Sequence, residues 1–190
     1  MTKDEKIAKL GKEITDRATV LLGKDKITPE SPEYLGINSA LKYTAYKYDQ
    51  KMADDILDIC LTMKKRVPLT IEHLAKKNPQ FDREYLEKAM QAVSESGLVE
   101  FHWENLDGKN PNHEKRWVLD MFVPGSAEIM MINPEQSDMY PETADFFERM
   151  AYLPLAGITE MVPPGGAGIG MHVIPVEKAI PAESKSLPIE

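Results

Sequence analysis

Thr70-Ile71-Glu72-His73-Leu74-Ala75-Lys76-Lys77, then Asn78-Pro79-Gln80, then a longer run from Asp82 that closes on Ser96-Gly97-Leu98-Val99: this stretch decides how the rest of the chain is read. Thr70 places a side-chain oxygen where the free N–H groups of a first helical turn need an acceptor, so a short helix is expected over 71–77. Asn78-Pro79-Gln80 interrupts it. A second helix is expected over 82–96, because Tyr85, Leu86, Ala89, Met90 and Val93 recur at three- and four-residue steps, and Gly97 stops it. Residues 98–104 then alternate, with Leu98, Val99, Phe101 and Trp103 as the apolar members. After the polar segment 105–112 a second strand is expected over 116–123, so the pair reads as a β-hairpin with a long tip.

Working outward, Asp49 caps a strong helix whose Met52, Ile56, Ile59, Cys60 and Met63 share one face. Lys64-Lys65-Arg66 is expected in its last turn, where cations suit the helix dipole. A helix over 34–48 is expected to turn Leu41, Ala45 and Tyr48 inward, and 28–33 (Thr-Pro-Glu-Ser-Pro-Glu) reads as a solvated linker. Ile7, Leu10, Ile14, Ala18 and Leu21 form one stripe of an amphipathic helix over 4–22 that ends at Gly23. Downstream of Pro124 the elements shorten, since ten of the fourteen prolines lie from Pro111 onward. A helix over 142–153 presents Ala144, Phe147, Met150 and Ala151, and a short strand is expected over 171–176.

A helix, a short helix, a longer helix and a hairpin, in that order, describe a winged helix-turn-helix. The expected fold class is α+β and mostly helical: a winged helix-turn-helix with an N-terminal helix and an extended Pro/Gly-rich C-terminal arm. Its divisions are an N-terminal helix and linker over 1–36, the winged-helix domain over 37–123 and a C-terminal extension or connector over 124–190.

Composition narrows the function classes. The 190 residues allow a full core without staples. The single cysteine, Cys60, excludes an internal disulfide, a CxxC zinc knuckle and the four thiolates of an iron–sulfur cluster. No apolar run approaches a membrane span and residues 2–6 form no signal-peptide core, so a cytoplasmic location without membrane contact is expected. Charge is uneven: residues 1–77 carry net +3 and residues 78–190 net −11, giving −8 for the chain.

That charge argues against the partner a winged helix usually suggests. The would-be recognition helix sets Arg83 and Lys88 against Asp82, Glu84, Glu87 and Glu95, whereas phosphate contacts come from Lys and Arg. Lys109, Lys115 and Arg116 at the wing are offset by Asp107 and Glu114. Nucleic acid is therefore disfavoured and protein docking through the same shape is preferred. Gly165-Gly166-Ala167-Gly168-Ile169-Gly170 follows two prolines rather than a strand and lacks both GxGxxG and GK[ST], so it reads as a covering loop rather than a nucleotide cradle.

His73, His102, His113 and His172 make neither HxxxH nor HExxH, and no serine sits in GxSxG. Cys60 lies on an apolar stripe, where a thiol is a small core residue. Asp54-Asp55, and Glu142 with Asp145, read as solvated helix faces. The eleven methionines, including Met130-Met131, read first as core filler and second as an adaptable docking surface. The residues thus nominate no catalytic, cofactor-binding or metal-binding position.

The helix over 52–63, the Thr70-Ile71-Glu72-His73-Leu74-Ala75 segment, the Ser96-Gly97-Leu98-Val99 exit, the hairpin and His172-Val173-Ile174-Pro175-Val176-Glu177-Lys178-Ala179-Ile180-Pro181 together resemble a known family. They resemble the N-terminal region of ferredoxin-type 4Fe–4S and iron–sulfur flavin (pyridine nucleotide-disulfide type) oxidoreductases of anaerobic bacteria, over residues 37–190. The resemblance implies that the tail leads toward cysteine-rich, cluster-binding segments and, in some members, a flavin- and pyridine-nucleotide-binding region. None of those cysteines and no dinucleotide fingerprint occur here, so 4Fe–4S clusters and FAD would belong to the parent protein and no cofactor to this chain. The expectation is a non-catalytic docking module for electron transfer, a fragment or subunit whose partner is a neighbouring redox domain, with homodimerisation as the other way to cover its apolar surface. The alternative is a winged-helix DNA-binding transcription regulator.

Overall fold

The computed structural model describes residues 1–15, 26–103, 115–142, 144, 147 and 148, all within the unit Met1–Leu153. These residues form a mostly helical structure of seven helices and one two-stranded antiparallel sheet. In chain order they are α1 (Lys3–Ile14), α2 (Pro32–Lys47), α3 (Gln50–Cys60), α4 (Ile71–Lys77), α5 (Arg83–Glu95), β1 (Val99–Trp103), β2 (Lys115–Leu119), α6 (Ala127–Ile132) and α7 (Pro134–Met139).

Local chemistry starts most of these helices. Thr2 and Glu5 form a capping box, the Glu5 N–H donating to Thr2 Oγ1 at 3.2 Å and the Thr2 N–H to Glu5 Oε2 at 2.8 Å. Asp49 and Asp82 accept from the N–H groups of Met52 and Tyr85, each at 2.7 Å, and Thr70 accepts from His73 at 3.2 Å, as the cap residues predict. Gly97 ends the turn after α5 at φ +80°, a conformation that a side chain strains.

Packing is organised around α2, which touches α1, α3, α5, α6 and α7. A helix covered on so many sides has no single apolar stripe, which is why its pattern is faint in the sequence. Leu41 is buried as expected, while Ala45 and Tyr48 are half-buried, and the main inward residues are Tyr34, Ile37, Ala40 and Tyr43. Two buried hydroxyls on α2 are engaged: Gln136 Nε2, from a distant segment, donates to Ser39 Oγ at 3.0 Å, and the Thr44 hydroxyl donates to the Ala40 carbonyl at 2.8 Å.

Several expectations are corrected. The helix expected over 4–22 ends at Ile14, where Thr15 turns to φ −57°, ψ 136°, its hydroxyl donating to the Gly11 carbonyl at 2.7 Å. The solvated linker expected over 28–33 holds for Thr28, Pro29 and Glu30, which are exposed, but not for 31–33: Pro32 opens α2 with its φ already set, and Ser31 and Glu33 are buried. Ser31 Oγ accepts from the Thr28 N–H at 2.9 Å, and Glu33 accepts from the Thr15 hydroxyl at 3.2 Å. Lys64-Lys65-Arg66 does not form the last turn of α3, which stops at Cys60, but begins a segment running along β2. β2 ends at Leu119 rather than at residue 123, because Asp120 turns its carboxylate back to the Met121 N–H at 2.8 Å.

The sheet pairs Val99 with Leu119, Phe101 with Trp117 and Trp103 with Lys115. On the other side of β2, the Leu69 N–H donates to the Trp117 carbonyl at 2.9 Å, the Trp117 N–H to the Leu69 carbonyl at 2.8 Å, and the Arg66 N–H to the Leu119 carbonyl at 2.8 Å. After β2 the chain passes through Phe122–Ser126, with a cis Val123–Pro124 peptide and Gly125 at φ +152°. This turn seats Phe122 in the core before α6 and α7 return to α2.

The hairpin tip 105–112, the glycine segment 165–170, the strand expected over 171–176 and the 172–181 run lie outside the described residues. So does most of 142–153.

Candidate functional site

Two surfaces of the described residues bring charged groups together. The first is the exposed face of α5 with its neighbours α3 and α4. Glu84, Glu87 and Lys88 are exposed there, and Arg83 is held at both ends, Nη1 to Glu72 Oε1 at 2.8 Å and Nε to Glu87 Oε1 at 3.1 Å. Beside them, Asp55 accepts from the Tyr85 hydroxyl at 2.5 Å and from Lys51, whose ammonium lies 5.0 Å from the Tyr85 ring centroid. Burial and the Asp55 hydrogen bond push the Tyr85 phenol up to about 12. Asp55 is therefore a structural acceptor between α3 and α5, whereas Asp54 is exposed, accepting from Gln50 Nε2 at 2.9 Å and pairing with Lys3 at 3.7 Å.

At the other end of α5, Glu95 accepts from the Tyr48 hydroxyl at 2.8 Å and pairs with Lys47 at 3.0 Å. Burial raises the Glu95 carboxyl, but hydrogen bonds from Lys47 and Tyr48 outweigh it and leave the group below its ordinary value. Arg83, Lys51 and Lys47 are thus engaged by carboxylates of the same molecule, and Lys115 Nζ donates to the amide oxygen of Gln91 on α5 at 3.1 Å.

The second surface is an open cleft of about 480 Å³ on the outer face of the hairpin, lined by Arg66, Pro68, Glu100, Val118, Asp120, Pro124 and Gly125. Arg66 reaches it from a backbone at φ +60°, unusual for a residue with a side chain, and its Nε lies 3.6 Å from Asp120 Oδ1. Asp120 is buried beneath Gly125, whose N–H donates to Glu128 Oε2 at 2.7 Å. These lining residues supply one guanidinium and two carboxylates but no hydroxyl, thiol or imidazole. Sequence reasoning missed this convergence of residues 66, 100 and 120–125. Only the Pro124-Gly125 turn signal hints at it.

The positions weighed from the sequence do not assemble. His73 is exposed on α4, its Nδ1 3.1 Å from Thr70 Oγ1, and His113 and His172 lie outside the described residues. Among the described residues no group of His, Cys, Asp and Glu could hold a metal ion, and no helix is long and apolar enough to cross a membrane. Lys65 donates through its backbone N–H to Glu13 Oε1 at 3.1 Å and through Nζ to the Thr15 carbonyl at 2.9 Å, tying the end of α1 to the segment before β2. Met52, Met63, Met90 and Met130 are buried in the core.

Cys60 is fully buried and burial pushes its thiol up to about 12. In native protein it is expected to resist a disulfide reagent such as DTNB and to react only as the chain unfolds. Rapid titration of one thiol in buffer would contradict that placement.

Comparison with known proteins adds no relative: no family model, no curated protein and no solved structure matches the chain.

Proposed function

We propose that this chain is a non-catalytic winged-helix docking module of a multidomain iron–sulfur/flavin oxidoreductase, acting in the cytoplasm of an anaerobic bacterium. The winged-helix reading rests on the order α3, α4, α5, β1, β2 and on the 65–69 segment that pairs with β2 where a winged helix carries its short first strand. The redox assignment rests on the resemblance of residues 37–190 to the front of such oxidoreductases. Clusters and flavin would then be carried by a neighbouring domain or subunit, since one buried thiol cannot ligate a cluster. The module's part would be mechanical: it packs on the redox neighbour and sets its position.

The observation that carries docking over duplex binding is the state of α5. Its exposed surface is rich in glutamate, and Arg83, its first helical residue, is already bound to Glu72 and Glu87. A phosphate backbone approaching this helix would meet like charge and would have to break those pairs. A low-salt titration with double-stranded DNA is the direct check: no binding steeper than a weak non-specific background is expected. Tight binding with a steep salt slope would replace this reading by the winged-helix transcription regulator.

The redox half is tested separately, by the intact mass of the native polypeptide together with iron and acid-labile sulfide in the purified native complex. Iron and sulfide accompanying this chain are expected. A polypeptide of 21.4 kDa that purifies without iron or a redox partner would overturn the assignment.

A further inference from the structure

Arg66 stands where a turn favours glycine. It is the third residue of the turn Lys64-Lys65-Arg66-Val67, which the Val67 N–H closes on the Lys64 carbonyl at 3.2 Å, and its φ of +60° is one that glycine or asparagine usually supplies there. Its own N–H donates to the Leu119 carbonyl at 2.8 Å, so pairing with β2 fixes this backbone in its strained conformation. The side chain makes few contacts in compensation. It is 57% exposed, it forms no hydrogen bond among the described residues, and its one charge contact is the 3.6 Å approach of Nε to Asp120 Oδ1.

The same arginine rims the cleft of about 480 Å³, a volume within the range of small-ligand sites. Asp120 is buried and anchored to the Met121 N–H at 2.8 Å, so it is a fixed charge that orients the guanidinium and leaves most of its N–H donors uncommitted. Pro68, Val118 and Pro124 supply apolar wall. Backbone strain that holds a barely bonded cation at the rim of a cleft is accounted for by a ligand that the cation contacts. The planar fork of guanidinium donors matches a carboxylate, which it binds through two parallel hydrogen bonds. Asp120 and Glu100, the latter engaged by a partner other than Arg66, would repel a ligand carrying a second negative charge.

We propose that this cleft is a binding site for a monocarboxylate with a small apolar body, its carboxylate on Arg66 and its body against Pro68, Val118 and Pro124. A free short-chain acid and the C-terminal carboxylate of a peptide share this chemistry. The site lies apart from α5 and does not depend on what the module docks to.

The test titrates the full, isotope-labelled chain at constant ionic strength and follows its amide resonances. The probes are butyrate, acetyl-Ala-Val with a free C-terminus, the same peptide amidated, and inorganic phosphate. Saturable shifts at Arg66, Val118 and Gly125 are expected with butyrate or the free-terminus peptide in the millimolar range, as befits so few ligand atoms. Tighter binding of butyrate identifies a free acid as the ligand, and tighter binding of the peptide identifies a chain terminus; either supports the site. Arg66→Gln should weaken the better carboxylate by about tenfold or more. Arg66→Gly should do the same while leaving the urea midpoint equal to that of the wild type or higher, because glycine accepts the turn's positive φ. That pair of readouts separates a lost ligand contact from a damaged fold. Absence of saturable shifts with both carboxylates, an amidated peptide or phosphate that binds as tightly as the better carboxylate, or an Arg66→Gln variant that binds like wild type would each overturn the proposal. So would a fall in urea midpoint for Arg66→Gly, which would make Arg66 a structural residue.

Discussion

Replacing Phe122 by alanine is expected to lower the unfolding free energy by about 3–5 kcal/mol, the range for removing a fully buried aromatic ring. Phe122 is completely buried, and its ring lies so close to Gly36 that a Cβ added there would sit 2.5 Å from Phe122 Cε2. Glycine at position 36 is what lets the turn after β2 press its ring onto α2. The surrounding helices cannot follow the missing ring without giving up their own contacts, so much of the cavity should persist. Urea unfolding followed by circular dichroism checks this, with a fall in midpoint at unchanged slope as the expected outcome. A loss below about 1 kcal/mol would mean that the turn does not anchor the core.

The second large effect is at Gly125. Its φ of +152° is open to glycine and strained for other residues, and an added Cβ would lie 2.3 Å from Asp120 Oδ2. Asp120 is not free to yield: its Oδ1 holds the Met121 N–H at 2.8 Å and faces Arg66 at 3.6 Å. Gly125→Ala is expected to cost about 2–4 kcal/mol. Asp120→Ala alone should cost about 1–3 kcal/mol through the lost acceptor. In the double variant the clash with the carboxylate is gone, so the combined loss should fall short of the sum by about 1 kcal/mol or more. Strict additivity in the same urea experiment would show that the carboxylate and the glycine do not meet. Both positions lie away from α5, so the duplex titration on these variants serves as an internal control.

The parts of the fold legible in the sequence are those whose chemistry is local. Asp49, Thr70 and Asp82 name their helix starts because each oxygen serves an N–H three residues on, and Gly97 marks an exit because its φ of +80° is a local demand that glycine meets. The amphipathic pattern of α5 was readable because one face meets the core and the other meets water. α2 was poorly readable for the opposite reason, and 31–33 was misread because Ser31 and Glu33 were taken as solvated when their partners are the Thr28 N–H and the Thr15 hydroxyl. Lys64-Lys65-Arg66 was misplaced for a related reason: helix dipole preference is worth a few tenths of a kcal/mol to about 1 kcal/mol, and the pairing of 65–69 with β2 overrides it.

The two candidate surfaces divide along the same line. The acidic character of α5 is a matter of composition, and its reading needs only the helix period. That Arg83 is already engaged requires Glu72, eleven positions earlier on another helix, and this contact exists only once α4 and α5 pack. The cleft of Arg66, Glu100 and Asp120 is further from the sequence still, since its residues come from three segments and share no spacing.

By itself, then, the sequence determined where α3, α4 and α5 begin, where α5 ends, the alternation of the hairpin and the sign of the charge on α5, because caps, periodicity and charge act within a few residues along the chain. The tertiary structure alone decided that α2 is the hub of the core, that Phe122 and Gly36 share one space, and that β2 is paired on both edges, by β1 and by the 65–69 segment. Those facts depend on which segments meet across dozens of residues, and packing and strand pairing between distant segments leave no local periodicity to read.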